Sequence, residues 1–172
     1  MFDSKNKRLI VKTIFRDPDR VFGVREMAEE VSVAPSTVSR IVSEIEEEGL
    51  VSVGENRGRM EIQASRNKYF RDVKRAYNIY SLTSSGLINS IEEKCIPVAI
   101  VLFGSYSRGE DKASSDIDIA VLEGKKFDRD LSEYEEELGR EINIHNIKLD
   151  EAGENFVEAL ANGITMRGHL EL

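Results

Sequence analysis

The clearest chemical signal in these 172 residues is a pair of carboxylates, Asp116 and Asp118, separated by one isoleucine. The run Asp116 to Leu122 reads as a strand. Period-2 alternation puts both carboxylates on one face, with Ile117 and Ile119 on the other. Two carboxylates so placed repel each other unless a cation lies between them, and oxygen donors select a hard ion such as Mg²⁺ (or Mn²⁺). Gly104-Ser105 stands ten intervening residues upstream. Glycine lets backbone approach a ligand closely, and Ser105 adds a hydroxyl. With the N–H groups of the following turn they form a small cradle for phosphates, and Arg108 adds positive charge. A phosphate cradle beside paired carboxylates is the arrangement for metal-assisted phosphoryl or nucleotidyl transfer.

These residues need strands and loops to hold them. Pro97 to Phe103 is a continuous apolar run that reads as a buried strand, ending abruptly at Gly104. A polar loop is expected from Tyr106 to Ser115, before the Asp116 strand. Phe127 to Arg140 reads as an acidic helix with Leu131, Tyr134 and Leu138 on one face and its glutamates solvated. Asp150 to Asn162 reads as a helix with Phe156, Val157 and Leu160 inward, capped by Gly163. Ile164 to Met166 is a candidate edge strand.

The segment LFGSYSRGEDKASSDIDIAVL (Leu102–Leu122) resembles the minimal prokaryotic nucleotidyltransferases of the DNA polymerase beta superfamily. The resemblance covers roughly residues 97–170. It implies that Gly104 and Ser105 hold a nucleoside triphosphate (NTP), to which the charge of Arg108 would add, and that Asp116 and Asp118 hold one or two metal ions. The family carries a third carboxylate on a later strand. Here that strand is Glu141 to His145, and its central residue is Asn143, an amide that can ligate but cannot act as a base. Glu141 and His145 share its face and are the alternatives if the register shifts. Otherwise His145 reads as a strand-surface residue.

The first half has a different pattern. Residues 3–16 read as a helix that Asp17-Pro18 ends. Val24, Met27, Ala28 and Val31 give one face of a second helix. After Ser32 to Ala34, Pro35 opens a third, with Val38, Ile41, Val42 and Ile45 inward and Gly49 at its end. Two short helices joined by about four residues form a helix-turn-helix pattern. The free face of the third helix offers Ser36, Thr37, Ser39, Arg40 and Ser43, side chains able to reach phosphates and base edges. Its C-terminal glutamates, Glu44 and Glu46 to Glu48, would repel phosphate, so its N-terminal end should face DNA. Leu50 to Val53 and Arg59 to Ile62 read as a hairpin, with Arg57 and Arg59 near its tip. The run Val24–Val51 resembles a winged helix-turn-helix domain, which implies binding to double-stranded DNA, usually as a homodimer.

Residues 67–94 read as two helices, with Tyr69, Phe70, Val73, Ala76, Tyr77 and Tyr80 as a packing stripe. Tyr80 to Gly86 is open to a second reading, as a strand and turn closing the wing.

Composition sets the frame. Hydrophobic residues at 40% and charged residues at 33% fit a folded soluble chain. No apolar run approaches the ~18 residues of a membrane span, and no membrane partner is expected. A single cysteine, Cys95, cannot form an internal disulfide, and a reducing cytoplasm is expected. Residues 1–80 carry 15 Lys+Arg against 13 Asp+Glu, while the remainder carries 9 against 19. Such asymmetry points to two halves with different partners.

The expected architecture is α+β in two domains. Residues 1–65 form a winged helix-turn-helix, 66–95 a helical linker, and 96–172 a nucleotidyltransferase fold with a mixed sheet. The expected function is a DNA-binding regulator whose second domain binds Mg-NTP, with catalysis impaired by Asn143. The alternative is an active nucleotidyltransferase that passes a nucleoside monophosphate to a protein acceptor of the toxin–antitoxin type, to a small molecule or to a nucleic acid.

Overall fold

The computed structural model describes residues 4–56, 58–148, 150 and 152–170. The chain divides into two compact units, residues 1–73 and 74–172.

In the first unit, helix α1 (Lys5–Arg16) is capped by Ser4, whose hydroxyl accepts from Lys7 N at 3.2 Å. A two-residue strand, β1 (Phe22–Gly23), leads into α2 (Val24–Glu30). Nothing in the sequence marks so short a strand. It exists because β3 offers an open edge for Phe22 and Gly23 to pair with. Helix α3 (Pro35–Glu47) begins with its proline at N1. The turn between α2 and α3 takes Ser32 to a positive φ of 53°. After α3, Gly49 donates to Glu46 O and Leu50 to Ile45 O, a Schellman ending with Gly49 at φ +77°. Strands β2 (Val51–Asn56) and β3 (Arg59–Ala64) pair antiparallel, Asn56 opposite Arg59, in the order β1-β3-β2. Ile10, Ile14, Met27, Val38, Ile41, Ile45 and Ile62 form the core, each no more than 2% exposed.

Helix α4 (Lys68–Ser84) is continuous through Tyr80. This removes the reading of Tyr80 to Gly86 as a wing strand. The chain turns only at Ser85-Gly86, where Gly86 takes φ +80° ahead of α5 (Leu87–Cys95). Leu87, Ile88 and Ile91 on α5 are buried in the second unit's core.

The second unit's sheet has the order β6-β5-β4-β7. Strand β4 (Ala99–Phe103) is antiparallel to β5 (Ile117–Leu122) and to β7 (Ile164–Gly168), while β5 is parallel to β6 (Ile142–Ile147). The sheet is therefore mixed. All five β4 residues are buried, because both faces are covered. Ile100, Leu102, Ile119 and Val121 pack toward α5, and Val101, Ala120 and Leu122 pack with Leu160 of α8 (Glu154–Ala161).

Four local readings change. The loop expected from Tyr106 opens instead as a short helix, α6 (Gly104–Arg108). The acidic helix is only α7 (Ser132–Leu138). Residues before it are held elsewhere, with Asn146 donating to Lys125 O at 2.9 Å and accepting from Phe127 N, and Asp130 accepting from Ser132 N at 3.0 Å. Helix α8 starts four residues late, after extended Gly153. Gly163 serves close packing: a Cβ there would lie 2.6 Å from Val101 Cγ1 and 2.9 Å from Leu102 O.

Candidate functional site

The carboxylates converge where β4 ends and β5 begins. Phe103 is paired with Asp118 across the β4–β5 ladder, and Asp118 with Asn143 across the β5–β6 ladder. Gly104 follows Phe103 at φ +74°, and a Cβ built on it would lie 2.6 Å from Asp118 Oδ2. Glycine is therefore required twice, by backbone conformation and by the carboxylate beside it. Ser105 lies next in α6, partly exposed.

Asn143 lies in register, so no shift brings Glu141 into its place. Its Nδ2 donates to Asp116 Oδ2 at 3.2 Å and to Asp118 Oδ1 at 3.4 Å. One amide thus bridges the two acids. The imidazole of His145 also reaches the site, with Nε2 3.5 Å from Asp118 Oδ1. Its ring packs at 5.3 Å from Phe103 and 6.0 Å from Phe156. His145 is a partly exposed residue of β6.

Asp116 stands one residue before β5, so ladder pairing does not place it. Its two neighbours are held instead. Ser115 O accepts from Arg140 Nη1 at 3.3 Å, and Ile117 N donates to Glu141 O at 2.9 Å. Arg140 is anchored in turn by Asp111, whose Oδ2 it meets at 2.6 Å. The other oxygen of Asp111 receives Lys74 Nζ at 3.1 Å and Asn78 Nδ2 at 2.8 Å. Asp111 and Lys74 are each 1% exposed. Arg140 also donates to Lys112 O, and Asn78 to Tyr106 O. This buried network pins the α6–β5 loop. Nothing in the residue pattern marks it, because isolated charges in a polar loop look like solvated ones. Glu135, expected in a solvated face, accepts from Ile142 N at 3.0 Å and holds the start of β6.

Two open hollows involve residues singled out by the sequence, Asp116 in one and Arg108 in the other. One, of about 490 Å³, is lined by Ser115, Asp116, Glu135, Arg140 and Glu141. The other, of about 460 Å³, is lined by Arg75, Arg108, Asn155, Glu158 and Asn162. Arg108 donates to Glu110 at 2.8 Å and faces this second hollow.

In the first unit, Ser36, Arg40, Ser43 and Arg59 are exposed, and Thr37 and Ser39 partly so. Arg57 lies outside the described residues. Arg40 pairs with Glu44, and the hydroxyls of Ser39 and Ser43 donate to Pro35 O and Ser39 O within the helix. Three of the C-terminal glutamates are engaged internally. Lys7, 4% exposed, meets Glu48 at 2.7 Å and Glu44 at 3.7 Å, and Glu46 accepts from Val53 N at 2.8 Å.

Comparison with known proteins agrees with the second unit. Residues 86–166 match the family described as polymerase beta, nucleotidyltransferase. A protein of Methanocaldococcus jannaschii named as a protein adenylyltransferase is 43% identical over 70 residues, covering 33% of this chain and 74% of that protein. The chain belongs to this nucleotidyltransferase family. A solved structure, the heme sensor protein PefR from Streptococcus agalactiae in complex with heme, is similar over 52% of this chain and 73% of its own, at 12% identity and a TM-score of 0.34. That likeness is too slight to bear on fold or ligand. Among the described residues no helix is long and apolar enough to cross a membrane.

The donor set suits a divalent ion carried by a nucleotide. Among the described residues no three His, Cys, Asp or Glu side chains form a closed metal site. Mg²⁺ is commonly held by one or two carboxylates, with phosphates and water supplying the rest. Asp116 and Asp118, drawn together by the Asn143 amide, are the two carboxylates that would do so here.

Proposed function

We propose that the second unit binds an NTP with a divalent ion and transfers its nucleoside monophosphate to a protein acceptor. The observation that carries this reading is the packing of Asp118 against a glycine that begins α6, with Asp116 and Asn143 beside it. Asp116 and Asp118 would hold the ion, which when bound neutralises charge on the phosphates. Gly104 admits the triphosphate close to the backbone, and the Ser105 hydroxyl donates to it. Asn143 orients the two carboxylates through its amide. A hydroxyl acceptor would form its bond to the α-phosphorus as the bond to pyrophosphate breaks. Its proton must go to solvent or to the leaving pyrophosphate, since an amide cannot take it. The protein acceptor is suggested by the relative named as a protein adenylyltransferase.

A second reading concerns the first unit. Helices α2 and α3 followed by the β2–β3 hairpin support a winged helix that binds duplex DNA through Ser36, Thr37, Ser39, Arg40, Ser43 and Arg59. Internal pairing of Glu44, Glu46 and Glu48 lessens their repulsion of phosphate. Two-fold dimers are the usual means by which such domains match half-sites.

The test is calorimetric titration of each NTP with Mg²⁺ into the full chain and into Asp116→Asn/Asp118→Asn. Saturating nucleotide at about 100 times Kd should raise stability by about 2.7 kcal/mol, and the double variant should lose both heat and stabilisation. Labelled NTP incubated with candidate acceptors then measures transfer. Equal binding by wild type and double variant would defeat the reading.

A further inference from the structure

Arg75 and Arg108 line one hollow of about 460 Å³, and they come to it from different elements, α4 and α6. Two guanidinium groups facing one space repel each other, and an anion between them removes the repulsion. Arg108 is partly answered by Glu110 at 2.8 Å, an exposed pair of the kind that contributes little. Among the described residues Arg75 has no ion-pair partner. The backbone that carries it is nonetheless fixed. Its neighbour Lys74 is 1% exposed and held by Asp111 at 3.1 Å. One turn on, the buried Asn78 donates to Tyr106 O of α6 at 2.9 Å. These bonds hold α4 against α6, so both arginines rise from one frame.

The same helix ties the hollow to Gly104 and Ser105. They begin α6 and Arg108 ends it, about 6 Å away along the axis. The hollow's other wall is α8, through Asn155 and Glu158. Helix α8 is seated there by Phe156, whose ring meets Phe103, the residue before Gly104, edge to face at 5.3 Å. A guanidinium offers phosphate several N–H donors in a fixed fork and keeps its charge at any working pH. Arg75 lies ahead of residues 86–166, the segment matched to the family, so the family's own residues do not account for it.

We propose that Arg75, with Arg108, forms an anion-binding subsite that takes the terminal phosphates of the NTP and so separates a triphosphate from a monophosphate. The inference rests on the nucleotide-binding reading above. Gly104 and Ser105 receive the phosphates at the start of α6, and the two guanidinium groups receive their far end. Glu158, a carboxylate in the same lining, opposes a phosphate there, so removing its charge strengthens binding.

The full chain, Arg75→Ala, Arg75→Lys and Glu158→Gln are to be titrated calorimetrically with NTP and with the matching nucleoside monophosphate, at one Mg²⁺ concentration. Arg75→Ala should weaken NTP by roughly tenfold or more and leave the monophosphate unchanged. Arg75→Lys should recover part of the loss, because it keeps the charge without the fork. Glu158→Gln should strengthen NTP by roughly twofold or more. Melting of the nucleotide-free proteins should coincide, since Arg75 and Glu158 are exposed. NTP binding that Asp116→Asn/Asp118→Asn loses but Arg75→Ala keeps in full would overturn the inference and leave the nucleotide reading standing. Equal losses of NTP and monophosphate in Arg75→Ala would also overturn it, because the residue would then serve the shape of the site. If wild type binds no NTP, both readings fall together. Should Arg75→Ala melt early, Arg75→Lys and Glu158→Gln still decide, because their effects on NTP are opposite in sign.

Discussion

The carboxylate of Asp118 occupies the space that a side chain at residue 104 would need, with Oδ2 2.6 Å from the position of a Cβ on Gly104. The two residues come from different strands' ends and meet because Phe103 pairs with Asp118 across the ladder. The motif's spacing is thus a record of a contact.

Gly104→Ala should fail on both counts. A left-handed residue with a Cβ costs roughly 1–2 kcal/mol, and the methyl would displace the Asp118 carboxylate. Thermal melting should fall, and Mg-NTP affinity should drop by tenfold or more in calorimetry. A variant with wild-type affinity would show that Asp118 can move without loss.

Asn143→Asp should place a third carboxylate against Asp116 and Asp118, now 3.2 and 3.4 Å from the amide nitrogen. Without metal this adds like-charge repulsion. A loss of about 1 kcal/mol would lower Tm by about 2–4 °C. Added Mg²⁺ should restore it, and transfer to an acceptor should rise. A metal-independent Tm would mean that residue 143 does not face the ion.

Asp111→Ala should leave Lys74 and Arg140 buried without their shared anion. Removing one partner of a buried pair costs about 3–5 kcal/mol, readable by urea denaturation. Because Arg140 also holds Ser115 next to Asp116, the more conservative Arg140→Lys should weaken Mg-NTP binding in wild type and have little further effect in Asp116→Ala. Additive losses would show that the network serves folding alone.

Arg40→Ala and Arg59→Ala test the DNA reading. If each contacts phosphate, each should weaken binding to any duplex and reduce the salt slope by about one. Fluorescence anisotropy across a salt series measures both. An unchanged slope would remove these residues from the interface.

Much of this protein was legible as sequence wherever the signal is local. Pro35 at the start of α3 and Gly49 at its end are set by what proline and glycine allow the backbone. The apolar run of β4 and the alternation of β5 foretold the strands, and Gly104 and Asp118, singled out by type and spacing, lie side by side. Element ends were less legible. The acidic helix shrank to α7 because Asn146 and Asp130 draw the preceding residues into other bonds.

What only the tertiary structure decided are the contacts between residues far apart in the chain. Charged residues in a sequence carry no mark of burial, so Lys74, Asp111 and Arg140 gave no hint that they form one buried network. His145 and Asn143 are two residues apart on one strand, and only the parallel register of β5 with β6 brings both to Asp118. Local backbone preferences and hydrophobic period are written residue by residue. Desolvation and pairing of charge depend on what the folded chain lays beside each group, and no single stretch of sequence contains that.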